Sequence, residues 1–200
     1  MQVTNRKEEK QMKYELTNET IKFYGRTLHR IRALKEVGVN VKKGDLGGFV
    51  ESESNLSQKG DCWIFDSAKV CDKAKVSGNA KVFDSAKVSG NAKVFDSAKV
   101  SGNAMVFNSA VVCDEAEVYG EAKIAKATDL FVATPIGSRN DTITFYKAKG
   151  YKIFVKCGCK NTDIDTWLGM VKETHGDNKH AKAYRLVAQV ARLQILGEEE

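Results

Sequence analysis

Three histidines, five cysteines and one arginine-bearing loop hold most of the reactive chemistry in this 200-residue sequence. Cys157-Gly158-Cys159 with His175 and His180 is the one set of types that could ligate zinc. Cysteines two apart on a strand share a face, and the two histidines flank a turn, yet the spacing matches no common zinc pattern. The expectation is therefore small strand cysteines, solvated histidines, no metal and no cofactor. Gly137 precedes Ser138, Arg139 and Asn140 in a turn-like stretch. An arginine fork there suits phosphate or carboxylate, helped by backbone donors. His175, Lys179 and His180 cluster at the expected start of the last helix, where the helix dipole also attracts anions. Arg139, Asn140, His175, Lys179 and His180 are thus candidate ligands for an anion. No Walker loop, GxSxG or HExxH pattern occurs.

The elements that must position these residues are set by an internal repeat, whose detection decides the fold. From Asn55 to Lys126 the chain reads in sixes, NLSQKG, DCWIFD, SAKVCD and onward to EAKIAK, without an insertion. Residues 79–90 and 91–102 are identical blocks. Within each hexad a small residue (Ala68, Ala74, Ala80) sits two before an aliphatic one (Val70, Val76, Val82). That spacing puts both on one face of a strand and turns the intervening Lys outward. Gly, Asp, Asn or Ser follows as a corner. A strand so short cannot bury its own face, so the units must coil and stack. A helix is excluded, because six is not a multiple of 3.6 and the recurrent Gly would weaken it.

The alternation resembles the hexapeptide repeat of left-handed parallel β-helices, in which a small residue follows an aliphatic one by four, as Val76 to Ala80 and Val82 to Ala86 do. It departs from that family in placing Ser, Phe, Cys or Tyr directly after the aliphatic residue. The resemblance implies triangular coils of three hexads, about four coils in all, and a homotrimer. The stretch GDLGGFV to NLSQKGDCWI resembles the entry segment of bacterial and prophage hexapeptide-repeat proteins.

Residues 13–34 alternate apolar and polar around Tyr24-Gly25, which reads as a β-hairpin capping the solenoid. After Phe131 the pattern breaks at ATPIGS. Two strands are expected within 142–157, joined at Lys149-Gly150, then helices over 163–175 and 179–196. The expected fold is mainly β: a flexible leader (1–12), an N-terminal β cap (13–54), a solenoid (55–132) and a small ββαα module (133–200). The module's GSRNDTITF, CGC and THGDNKH resemble a module of phage proteins of unknown activity.

Sorting the hexads in threes stacks Lys81 on Lys99, Lys69 on Lys87 and Lys75 on Lys93. Like charges one strand spacing apart repel unless compensated, and Asp66, Asp72, Asp84 and Asp96 at the corners are the expected partners. Lys81 and Lys99 are the sharper alternative, a ladder that holds an anion. Phe65, Phe83 and Tyr119 fall on one face and form a candidate subunit interface. The alternative is that the cap or the module folds over that face.

Charge excludes a basic nucleic-acid arm, since the net +6 is spread as +3, +1 and +2 over residues 1–54, 55–126 and 127–200. No run has the roughly 18 apolar residues of a membrane span, the polar N-terminus is unlike a signal peptide, and five cysteines do not form a paired framework. A cytoplasmic protein is expected. Residues 55–126 contain no histidine, so the general base of the acyltransferases built on this fold is missing from the coils. The leading expectation is a non-enzymatic binding protein. The phage-like resemblance implies a role against host defence, by occupying a defence protein as anti-CRISPR proteins do or by sequestering a nucleotide or nucleic acid. The rivals are an acyl- or nucleotidyl-transferase using the tail histidines, and a virion or assembly component.

Overall fold

A computed structural model describes residues 12–197, so the expected leader lies almost wholly outside the described residues. β1 (Tyr14–Phe23) and β2 (Arg26–Ala33) form the anticipated hairpin, and β3 (Leu46–Val50) pairs antiparallel with β2. Two-residue strands then follow at intervals of six: β4 (Trp63–Ile64), β5 (Lys69–Val70), β6 (Lys75–Val76), β7 (Lys81–Val82), β8 (Lys87–Val88) and β9 (Lys93–Val94). The series continues through β10 (Lys99–Val100), β11 (Met105–Val106), β12 (Val111–Val112), β13 (Glu117–Val118) and β14 (Lys123–Ile124).

These strands wind as a parallel β-solenoid with three faces. The first face is β3-β5-β8-β11-β14, and β1 and β2 extend its edge; the second is β4-β7-β10-β13 and the third β6-β9-β12. The register sets Lys81 beside Lys99, Lys69 beside Lys87 and Lys75 beside Lys93, so one coil is eighteen residues, as the hexad sorting required. Backbone N–H groups of one coil donate to carbonyls of the next, as Lys81 to Ala98 and Phe83 to Val100, both at 2.9 Å. Ala80, Val82, Ala98 and Val100 and their equivalents fill the interior and are fully buried.

The sixth residue of the hexads is held in the left-handed region, alternately by Gly (Gly78, Gly90, Gly102) and by Asp or Asn (Asp72, Asp84, Asp96, Asn108). Asn and Asp tolerate this conformation because their short side chains hydrogen-bond locally. Here those carboxylates bond to backbone one coil away: Gly90 N–H donates to Asp72 Oδ2 at 2.9 Å and Gly102 N–H to Asp84 Oδ2 at 2.8 Å. The corner aspartates therefore serve the backbone, which corrects their expected pairing with the lysine ladders.

The start of β1 closes one end of the solenoid. Tyr14 meets Trp63 edge-on at 6.3 Å and donates to Leu56 O, while buried Lys13 Nζ donates to Cys62 O at 2.9 Å. Burial pushes the Lys13 ammonium below its ordinary range.

The C-terminal module has four strands where two were expected: β15 (Leu130–Ile136), β16 (Asp141–Lys147), β17 (Ile153–Cys157) and β18 (Lys160–Asp163), antiparallel in chain order. β15 runs through the expected boundary at ATPIGS, because Ala133 and Ile136, as well as Leu130, Phe131 and Val132, pair with β16. Phe131 accordingly packs into the module, 5.9 Å from Phe145, and is not part of a coil face. α1 (Ile164–His175), capped by Asp163, and α2 (Lys179–Leu196), capped by Asn178, lie where the sequence put them. Trp167, Val171, Tyr184, Ala188 and Ala191 bury their inner faces against β16 and β17. Among the described residues no helix is long and apolar enough to cross a membrane.

Close coil stacking makes a specific stability prediction. A Cβ on Gly90 would lie 2.8 Å from Asn108 N, whereas one on Gly120 meets nothing within 4 Å, and both have φ near +65°. Gly120→Ala should cost about 1–2 kcal/mol for the left-handed backbone alone. Gly90→Ala should cost at least about 1 kcal/mol more, because packed backbone must shift. Thermal unfolding followed by circular dichroism compares the two, and equal costs would contradict the close approach.

Candidate functional site

Two clefts gather functional residue types. The first, of about 460 Å³, separates the second solenoid face from the module and is lined by Lys99, Glu115, Glu117, Tyr119, Thr142, Thr144 and Lys156 among others. Glu117 occupies the outward strand position that Lys81 and Lys99 hold in the two coils before it. Its carboxylate takes Lys99 Nζ at 2.7 Å from its own ladder and Lys156 Nζ at 3.2 Å from β17. Glu117 N–H donates to Thr144 Oγ1 at 3.1 Å, and Thr142 donates to Glu115 at 2.7 Å. This is a lock between solenoid and module.

Desolvation alone would raise the Glu117 carboxyl, but the hydrogen bonds and charges of Lys99 and Lys156 outweigh it, and the group sits below its ordinary range. The same hydrogen bond to Glu117 holds the Lys99 ammonium above its usual value. Lys99 is thus committed to a carboxylate, which corrects its placement with Lys81 in an anion-holding ladder. On the first face, Lys69 and Lys87 both lie 5.9 Å from the Phe23 ring at the hairpin tip. Desolvation and the neighbouring Lys87 lower the Lys69 ammonium.

The candidate interface residues divide. Phe65 and Phe83 stack at 4.8 Å and stay partly exposed. Ser101 between Phe83 and Tyr119 is buried, and Tyr119 lies under Lys156 of the module, 5.1 Å from its ring. The module therefore covers one end of this face, the alternative weighed from the sequence.

The second cleft, of about 320 Å³, lies within the module. Ser138, Arg139, Cys157, Lys160, Trp167, His175 and Tyr184 are among its lining residues. The turn joining β15 to β16 delivers Arg139, which pairs with Asp141 at 3.2 Å and is largely exposed. Gly137 allows the turn to close on Tyr184, whose ring occupies the space a Cβ would need. Trp167 and Tyr184 meet edge-on at 5.4 Å, and His175 stands 5.6 Å from Tyr184. His180 lies 6.0 Å beyond His175. Burial pushes the Cys157 thiol up, partly offset by Trp167 and Arg139, so it stays protonated near neutral pH.

Of the five anion candidates the structure brings Arg139 and His175 to one cleft. Asn140 is an exposed left-handed turn residue, and Lys179 is exposed at the first turn of α2. The α2 N-terminus is already satisfied, since Asn178 Oδ1 accepts from the backbone of His180 at 2.9 Å and Ala181 at 3.0 Å. That corrects the expectation of an anion at this helix end. Cys157 ends β17, whereas Cys159 sits on the exposed turn to β18, so they do not share a strand. No three of Cys157, Cys159, His175 and His180 come within common reach of an ion. The one group of potential metal ligands close together among the described residues is Glu51, Cys71 and Asp72, and Arg26 already pairs with both carboxylates.

Sequence reasoning missed Glu117, Lys156, Lys160 and the use of Trp167 as a cleft wall. A signal existed for Glu117, since it reverses the charge of an otherwise lysine-bearing strand position. Lys156 and Lys160 carried none, because their neighbours come from distant sequence. Comparison with known families finds the YdcK Beta solenoid repeat over residues 98–114, less than one coil. No curated protein matches the chain.

Glu117→Gln keeps shape and removes the charge. A carboxyl with a depressed native pKa adds stability above its unfolded value near 4.3, and that stability is lost as pH falls through the native value. The variant should be less stable by about 1–3 kcal/mol at pH 7. Its deficit should shrink below about pH 4. Denaturant unfolding across pH measures this, and a pH-independent deficit would contradict the charge lock.

Proposed function

We propose that this chain is a non-enzymatic binding protein in which the solenoid is a rigid platform and the module carries the ligand cleft. The observation that carries the reading is the convergence of Arg139 and Lys160 with Trp167, Tyr184 and His175 around one cleft. Two cations at the rim recognise phosphate or carboxylate, and the edges of the largely buried Trp167 and Tyr184 rings give the cleft an apolar floor. The cleft is at the small end of small-molecule sites. A mononucleotide is the class that fits these features, and nucleotide sequestration is the form of anti-defence role that they support.

The binding reading is favoured over a transferase by the state of the reactive groups. Cys157 is held as a thiol. Among the described residues, neither His175 nor His180 is hydrogen-bonded to a carboxylate that would orient it as a base, and the coil segment 55–126 has no histidine in sequence.

Trp167 provides a direct readout, because it lines the cleft, whereas the other tryptophan, Trp63, packs against Tyr14 at the capped end of the solenoid. Titration with adenine and guanine mononucleotides, linear and cyclic, should change Trp167 fluorescence saturably and leave the nucleotide intact. Arg139→Ala should weaken binding by roughly tenfold to a hundredfold, the worth of a charged hydrogen-bonding group. Absence of saturable binding up to millimolar nucleotide, or affinity untouched by Arg139→Ala, would overturn the proposal. Turnover abolished by His175→Ala would replace it with the transferase.

A further inference from the structure

The capped end of the solenoid holds an amine against a thiol, two nucleophiles that the proposed ligand cleft does not use. Lys13 precedes β1, and its Nζ donates to Gly60 O at 3.2 Å, to Cys62 O at 2.9 Å and to Cys62 Sγ at 3.1 Å. Both side chains are buried, Lys13 at 1 % exposure and Cys62 at 0 %. Desolvation outweighs the attraction of the thiol and of Asp61 for the ammonium. The free amine, which is the nucleophilic form, is therefore more accessible here than in water. No second thiol stands nearby to compete. Cys71 packs in a separate cluster with Leu28 and Phe49, and the other cysteines lie further along the chain.

We propose that Lys13 and Cys62 are a modification site at which a peroxide drives an S–N cross-link between the cap and the first coil. The sulfur of Cys62 takes one peroxide oxygen as the O–O bond breaks. The thiol proton leaves with the other oxygen as water, and a sulfenic acid remains. The amine of Lys13 then attacks that sulfur. The N–S bond forms, the S–O bond breaks, and the hydroxyl departs as water with an amine proton. In sum, thiol, amine and peroxide become a sulfenamide and two waters, with sulfur oxidised by two electrons and peroxide reduced by two. A thiol reductant returns the original pair. Met12, Lys59, Gly60 and Asp61 are exposed around the buried pair. Opening of the start of β1 admits a small oxidant, and reclosure sets the amine, not an external thiol, against the sulfenic acid. The bond joins residues 49 apart and fixes Tyr14 on Trp63. It thereby fastens the cap by closing a loop in the unfolded chain.

Hydrogen peroxide treatment of the full chain, followed by denaturing alkylation, tryptic digestion and mass spectrometry, tests this. The expected product joins peptide 11–22, uncut at Lys13, to peptide 60–69, with the loss of two hydrogens. Dithiothreitol should separate the two peptides. Lys13→Gln and Cys62→Ala should each abolish the link. Melting of the oxidised wild type should rise by several degrees over the reduced protein, and oxidised Lys13→Gln should show no rise. The peptide pair from the wild type decides the matter even where a variant folds poorly. Recovery of Cys62 as the alkylated thiol under peroxide that fully converts exposed Cys159 would overturn the proposal. So would Cys62 recovered as a sulfinic acid or in a disulfide, with Lys13 unlinked.

Discussion

Stacking of one eighteen-residue coil on the next is the constraint on which the rest of the molecule depends. Each coil gives its N–H groups to carbonyls of its neighbour at about the same 2.9 Å, so no coil can shift register without losing a whole tier of bonds. The corners obey the same geometry. Left-handed backbone every six residues turns the chain while keeping the strands parallel, and only Gly, Asp and Asn occupy it between Gly60 and Gly120. Alanine and valine inside are a consequence, since a triangular coil leaves room for small and medium side chains alone.

The identical twelve-residue blocks acquire meaning against this coil. Twelve is two thirds of eighteen, so the two hexad types alternate along the faces over the blocks. Ser77, Phe95 and Cys113 stack at one corner, and Ser89, Phe107 and Ala125 at another. At the third corner Phe83 is followed by Ser101 and then Tyr119, and the serine between the two rings is buried. Alternating large and small residues lets an aromatic ring spread over its short neighbour, so outward rings become partly covered without a second layer. The Phe65–Phe83 stack is the exception, two large residues in succession.

How much was legible follows from how local the signal was. The hexads, the face assignment of Lys69, Lys81 and their partners, the capping hairpin and both helices are local patterns, and all were readable. β15 was not, because Pro135 and Gly137 made its C-terminal half look like a linker, although Ala133 and Ile136 there pair with β16, while Leu130 to Val132 resembled the tail of the repeat. β18 carries Lys160, Asn161, Thr162 and Asp163, with no apolar residue to mark a strand; it exists because β17 offers it an edge. Of the candidate site, Arg139 and His175 were readable by type. Their convergence was not, because it depends on Gly137 closing against Tyr184 across nearly fifty residues of sequence.

A perfect repeat cannot by itself make a unique site, since every coil presents the same outward groups to solvent. Uniqueness requires a break in the period. Along the second face the outward strand residues run Trp63, Lys81, Lys99, Glu117. Each break is where something else docks: Trp63 meets the cap through Tyr14, and Glu117 meets the module through Lys156. Of the intervening lysines, Lys99 is drawn into the second of these contacts by its ion pair with Glu117. The irregular turns of the module, by contrast, place Arg139, Lys160 and His175 around one cleft, at positions the coil geometry does not offer.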